Sequence, residues 1–219
     1  MLSESDLKAL WLTIQLALLT TVILLLIGTP LGWWLARTRW RFKFILDAVI
    51  ALPLVLPPTV LGFYLLVFLG PQGPFGDTSL AFTFPGLVIG SVIYSLPFVV
   101  QPIQNAFASI HSEQLEVAST LGSSGWSRFA SIALPLARPG ILTGAVLGFA
   151  HTLGEFGVVL MIGGNIPGST RVVSIAIYDH VEALKYGDAH QLSLVLLLLS
   201  FLMLILVYGL NRKNRTGLV

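Results

Sequence analysis

The chain alternates between long apolar stretches and short clusters of charge. Residues 9–36, 83–110 and 189–211 carry no Asp, Glu, Lys or Arg, residues 46–70 carry only Asp47, and residues 134–162 carry only Arg138 and Glu155. A helix rises about 1.5 Å per residue and the hydrocarbon layer is roughly 30 Å thick, so about 20 such residues suffice for one crossing. Alternation of period two is missing, and lipid requires backbone groups to pair within the segment, so the stretches read as helices rather than barrel strands. The pattern predicts an all-α membrane protein. It is a polytopic bundle of five transmembrane helices at those five places, forming a single domain over residues 1–219 with one long loop at 111–133.

The basic residues orient these spans. Arg37, Arg39, Arg41 and Lys43 follow the first, Arg128 and Arg138 precede or open the fourth, and Arg212, Lys213 and Arg215 follow the fifth; Lys8, Arg171 and Lys185 are left for the other side. That bias puts the N-terminus outside and the C-terminus inside, which an odd number of crossings requires. An acidic start, Ser3-Glu4-Ser5-Asp6, ahead of so long an apolar run is unlike a cleaved signal peptide, so the first segment is expected to stay and span.

Composition narrows the chemistry. Hydrophobic residues make up 55% of the 219 and charged ones 10%, which excludes an ordinary soluble enzyme. A formal net charge of +2, placed by topology rather than gathered in a patch, excludes nucleic acid as a partner. There is no Cys, and the four His (His111, His151, His180, His190) are scattered, so no metal site is expected. No Gly-x-x-x-x-Gly-Lys-Ser/Thr phosphate loop occurs, and no nucleophile, base and orienting group cluster, so no catalytic residue is assigned and any ATP chemistry belongs to another chain.

Two proline-rich segments mark the helices of interest. Residues 51–62 (ALPLVLPPTVLG) and 133–144 (ALPLARPGILTG) share Ala, Leu, Pro, Leu, Pro and Gly in register, either a trace of duplication or a coincidence in a Leu- and Pro-rich chain. Prolines deep in a span free carbonyls that can face a polar cavity, so Pro57 and Pro58 mark span two either as a wall of a pathway or as a kinked packing helix. Gly62, Gly86, Gly90, Gly144 and Gly148 are expected to permit close helix packing, and the Trp residues, including Trp11, Trp33, Trp34 and Trp40, to form an interfacial belt.

The inner loop is longer than a compact bundle needs. Residues 111–122 read as a short helix with Ser112 as cap, an apolar stripe of Leu115, Ala118 and Leu121, and Gly122 as the stop; Trp126 to Ile132 returns towards Pro135. The result is a helix-turn-helix outside the bilayer, resting on headgroups or gripped by another protein.

Glu116-x-Ala118-x3-Gly122-x9-Ile132-x-Leu134-Pro135 resembles the signature loop of membrane subunits of binding-protein-dependent ABC importers, with Val117 where that pattern has Ala. The resemblance implies coupling helices that dock in a groove of a cytoplasmic ATPase dimer, with Glu116, Ala118 and Gly122 at the contact and Ile132, Leu134 and Pro135 in the return. Leu153-Gly154-Glu155-Phe156-Gly157, the Asn165-to-Arg171 segment (NIPGSTR) and the Pro-rich start of span two are similar to the molybdate-transport permease group. Sulfate and thiosulfate permeases share a related Gly-Glu-aromatic-Gly, so these anions and tungstate stand as alternative cargoes to molybdate. The resemblance further implies a homodimer in a prokaryotic inner membrane, an external oxyanion-binding protein, and ATP and Mg used by the partner ATPase, with no cofactor on this chain.

Glu155 is the only carboxylate of span four. Counting from Leu134 puts it about 31 Å along the helix, near the outer boundary. A carboxylate repels an anion, so a structural or gating role is expected, with backbone amides near Gly154 and Gly157 as its donors. Asn165, Thr170 and Arg171 follow on the outer side, as a docking surface or as an ordinary loop closed by Pro167-Gly168. Residues 172–188 are too charged to span and are expected on the outer face. An ion-coupled secondary transporter is the competing class; it calls for inverted repeats and interrupted helices meeting at mid-membrane.

Overall fold

The computed structural model describes residues 2–215, with side-chain surroundings as far as Ile205. The elements are α1 (Glu4–Arg37), α2 (Lys43–Val55), α3 (Pro58–Leu69), a short 3₁₀ turn (Gly76–Thr78), α4 (Phe84–Ala108), α5 (Ser112–Thr120), α6 (Gly125–Arg128), a π-helical turn (Phe129–Ala133), α7 (Leu134–Leu136), α8 (Arg138–Leu153), α9 (Gly157–Gly163), α10 (Val173–Glu182) and α11 (Tyr186–Arg215). The described residues form no strand. The acidic start serves as a cap: the Ser3 hydroxyl accepts from the Asp6 amide at 3.2 Å, and the Asp6 carboxylate accepts from the Ser3 amide at 3.1 Å.

At the centre α1 and α4 run parallel and α8 runs antiparallel to both. Gly28 of α1 faces Val99 and Val100, Gly32 faces Ile103, and Arg37 reaches the carbonyls of Phe107 and Ile110, so the two helices climb together. On α8 the order reverses, with Gly140 against Pro102 and Ala106, Gly144 against Val99 and Ile103, and Gly148 against Val99. A Cβ at Gly144 would sit 2.9 Å from the Val99 carbonyl oxygen, so only glycine lets these backbones approach. Leu24, Val99, Ile103, Phe107, Ala133 and Ala137 bury one half of this core, and Leu16, Leu87, Val158, Ile162 and Ile175 the other. Outward-facing Leu18, Val22 and Leu26 on α1 and Leu197, Phe201 and Leu202 on α11 remain exposed, as lipid-facing side chains are.

Three helices, Glu4–Arg37, Phe84–Ala108 and Tyr186–Ile205, are individually long and apolar enough to cross. The expected second and fourth spans are not single helices. Lys43–Val55 and Pro58–Leu69 meet at 110°, and Gly125–Leu136 and Arg138–Leu153 at 67°. Both breaks fall within two residues of the aligned prolines Pro57 and Pro139, each of which lacks an N–H and clashes with the carbonyl four residues earlier. The fourth segment is interrupted again at residues 154–156, between α8 and α9. Through its break the second segment keeps climbing: Asp47 accepts from Gln104 at 3.1 Å, Ile50 packs by Leu35 and Val100, Pro58 meets Gly157, Gly62 meets Met161, and Leu69 meets Leu80.

Candidate functional site

The breaks of α2–α3 and α8–α9 meet beside α4 and line an open cavity of about 650 Å³. Its wall takes Pro58 and Thr59 from α3, Tyr94 from α4, His151 from α8, and Glu155 and Phe156 from the second break. Of the sequence-picked residues, Pro58 and Glu155 are thus brought together; Pro57 lies exposed at the break, outside the wall.

A buried polar ladder backs the cavity. Ser91 and Ser95, one turn apart on α4, face Glu155 and His151–Thr152. The Ser91 hydroxyl donates to Glu155 Oε2 at 2.8 Å. Thr152 gives its proton to the Gly148 carbonyl at 2.9 Å, so Ser95 donates to Thr152 Oγ1 at 3.0 Å and accepts from His151 Nδ1 at 2.9 Å. That assignment puts the imidazole proton on Nδ1 and leaves Nε2 an acceptor. The ring is held by stacking on Phe98 at 3.9 Å and by Tyr94 at 4.6 Å.

Glu155 is 4% exposed, and its Oε1 has no hydrogen-bond partner among the described residues. One expectation changes here: its donor is a serine hydroxyl rather than a backbone amide. It is level with Ser91, seven residues inside the start of α4, about 10 Å at 1.5 Å per residue. α10 braces the break from outside, with Ser174 Oγ donating to the Glu155 carbonyl at 2.6 Å and Tyr178 packing on Phe156 at 5.2 Å. Tyr178 also donates to Glu182 at 2.7 Å, and that carboxylate raises its hydroxyl above the usual tyrosine range.

Asn165, Thr170 and Arg171 lie away from the cavity. Thr170 is fully buried, donating to the Gly163 carbonyl at 2.6 Å and accepting from the Ile166 amide at 3.3 Å, so it closes the loop from within and adds nothing to its surface. The Arg171 guanidinium donates to the Asn165 side chain and pairs with Asp179 at 3.4 Å, while Asn165 donates to both Asp179 oxygens at 2.8 Å. The Arg171 charge is therefore met by a carboxylate, and Asn165 and Arg171 tie the loop to α10. As expected of a segment too charged to span, α10 packs as a separate short helix, burying Val173, Ile175 and Ala176. His180 on α10 lies 2.9 Å from the Asp6 carboxylate, joining it to the start of α1.

The loop at 111–133 is a helical elbow. α5 ends in a Schellman turn: Gly122 at φ +83° lets its own amide reach the Ser119 carbonyl, and the Ser123 amide reach the Ala118 carbonyl, both at 3.0 Å. The expected cap moves by one residue. His111 holds the N-cap position without a side-chain bond, and Ser112 is the first helical residue. Leu115 and Ala118 turn inward, but Leu121 is 81% exposed and leaves the expected stripe; Glu116, Val117 and Trp126 are exposed with it. The return is helical from Gly125 to Leu136 through its π turn and carries half-buried Ile132, Leu134 and Pro135.

Sequence reading missed Tyr94, Ser91, Ser95 and His151. The signal was faint: two serines four apart in an apolar span, and a His four residues before a Glu, place polar groups on matching helix faces.

Residues 28–216 match the family described as binding-protein-dependent transport system inner membrane component. Over 99% of both chains the protein is 60% identical to the molybdenum transport system permease protein ModB of Azotobacter vinelandii, and over 98% of this chain and 97% of the other it is 34% identical to ModB of Escherichia coli K12. A probable sulfate transport system permease protein cysT of Zygnema circumcarinatum is 33% identical over 96% of this chain and 75% of its own. The fold is shared with the crystal structure of a bacterial ABC transporter that imports alginate (TM-score 0.78, 17% identity, 99% of this chain and 81% of the other) and with the MetNI methionine ABC transporter in an inward-facing form (TM-score 0.76, 17% identity, 97% and 99%). The chain therefore belongs to the binding-protein-dependent transport system inner membrane components, among the ModB-type permeases.

Proposed function

We propose that this chain is the membrane-spanning permease of an ABC importer for molybdate, working as a homodimer in the inner membrane of a prokaryote. The identity of 60% to a molybdenum permease along the whole chain, against 33% to a sulfate permease, carries the choice of cargo. Each bent pair is counted as one crossing, which gives five, and the basic residues after the first, third and fifth put the N-terminus outside and the C-terminus inside. The whole chain is one domain, and the elbow at 111–133 is cytoplasmic.

A cytoplasmic ATPase dimer, using ATP and Mg, grips the elbow. Exposed Glu116, Val117, Leu121, Gly122 and Trp126 form the contact, and buried Ala118 supports it from beneath. ATP-driven closure moves the two elbows of the dimer and rocks the permease halves between inward- and outward-facing states. The cavity between the broken helices lies on the route, with Glu155 and Pro58 at its gate. Asn165 and Arg171 stiffen the outer loop on which an external oxyanion-binding protein docks. Selectivity resides in that protein, because a mostly apolar cavity with a carboxylate in its wall holds an anion weakly and releases it readily.

Interrupted helices do meet beside the cavity, a feature otherwise expected of a secondary transporter. Family membership and the elbow decide against that reading. Reconstitution with the ATPase and with binding protein loaded with molybdate, tungstate or sulfate tests the proposal: molybdate-loaded protein is expected to stimulate ATP hydrolysis and uptake. Uptake by this chain alone, driven by an ion gradient, would overturn it.

A further inference from the structure

Arg37 ends α1 at the level where α4 runs into the elbow. Its Nη2 donates to the Ile110 carbonyl at 3.1 Å and to the Phe107 carbonyl at 3.5 Å, spanning sequence gaps of 73 and 70 residues. Phe107 lies in the last turn of α4 and Ile110 two residues past its end, where a cation is favoured by the helix dipole. The guanidinium lies 5.1 Å from the Trp33 ring centre, one turn back on α1. Trp33 in turn meets Phe107 edge-on at 5.1 Å and Phe129 at 5.5 Å. Phe107 is fully buried on the limb that enters the elbow; Phe129 opens the π turn on the limb that leaves it and touches Trp126 at 5.6 Å.

One end of α1 therefore holds both limbs of the elbow, the entering limb through two carbonyls and an aromatic edge, the leaving limb through an aromatic face. α5 packs chiefly on α6, so a push on α5 reaches the bundle through these limbs. A π turn in the leaving limb adds a local adjustment point of the kind found at functional sites.

We infer that Arg37 and Trp33 are positioning residues of the transport cycle: they lock the two limbs of the elbow to α1, so that displacement of the elbow moves α1, α4 and α6 as one body and reaches the cavity wall on α4. The inference rests on the ATPase gripping the elbow, as proposed above. Neither residue belongs to that contact or to the cavity wall.

The test uses the assembled complex in proteoliposomes with molybdate-loaded binding protein. Arg37→Gln is expected to retain the ATPase in the same stoichiometry with unstimulated ATP hydrolysis unchanged, and to lose about tenfold in binding-protein-stimulated hydrolysis and in molybdate taken up per ATP, since a charged donor to two buried carbonyls is removed. Arg37→Lys, with a single charged donor group, should recover part of the ratio. Trp33→Leu, which leaves the carbonyl bonds intact, should lower it in the same direction and covers the case in which Arg37→Gln does not fold. Uptake per ATP at the wild-type ratio in Arg37→Gln, or a loss in either variant that matches a loss of ATPase from the complex, overturns the inference while leaving the proposed function standing. Absence of the ATPase from the wild-type complex overturns both.

Discussion

The elbow and the cavity wall place polar and apolar side chains in opposite ways. In the elbow, large apolar groups stand in the open: Val117 is 60% exposed, Trp126 74% and Leu121 81%. Behind the cavity, Ser91, Ser95, Thr152 and Glu155 are buried inside a helix bundle. Each arrangement is unfavourable alone, since exposed apolar area is stabilised by being covered and a buried polar group by being bonded. The cavity wall resolves most of its cost internally through the α4–α8 ladder, leaving one carboxylate oxygen unmet. The elbow buries Leu115 and Ala118 but leaves Val117, Leu121 and Trp126 uncovered, the side chains that the proposed ATPase contact would cover. One region satisfies its polar groups internally but for one carboxylate oxygen; the other leaves apolar surface open.

The sharpest way to break the wall is to pry apart its backbones. Gly144→Leu drives a side chain into the Val99 carbonyl and is expected to destabilise the chain by about 3 kcal/mol, read as a drop in thermal unfolding temperature and in folded yield. The elbow should fail differently. Gly122→Val forces a β-branched residue to φ +83° at a cost of about 1–2 kcal/mol, opening the Schellman turn; ATPase capture should fall about tenfold while the bundle's thermal stability stays at the wild-type value.

These two responses reflect how legible each region was. The elbow's spacing from Glu116 to Pro135 is contiguous, so a motif with a helix stop is readable directly, and only the cap and Leu121 moved. The wall is assembled from residues 58, 94, 151 and 155 on separate segments, and no local pattern announces that juxtaposition. Hydropathy gave the apolar stretches but not the breaks at Leu56 and Ala137, because burial is averaged along a segment while a proline acts at one peptide. Arg171 and Asp179 stand eight residues apart, and no local spacing announces that the turn of the loop onto α10 pairs them.

A finer comparison separates the two oxygens of Glu155. Ser91→Ala leaves both carboxylate oxygens without a donor and should cost about 1–3 kcal/mol, whereas Glu155→Gln keeps an acceptor for Ser91 and should cost less. Uptake rates and unfolding temperatures of the two variants side by side test the order; equal losses would mean that Ser91 does not support Glu155. The smallest effect belongs to the outer brace: Asp6→Asn weakens the contact with His180, and about 1 kcal/mol of local stability should appear as faster proteolysis of α10 with transport nearly unchanged.

The central claim is that an ATP-driven partner works this bundle through its elbow. The most direct measurement is ATP hydrolysis by the reconstituted complex on adding molybdate-loaded binding protein, with wild-type and Gly122→Val chains in parallel. The account predicts stimulation in the wild type and its loss, together with the ATPase itself, in the variant; full stimulation with the turn at Gly122 broken would contradict it.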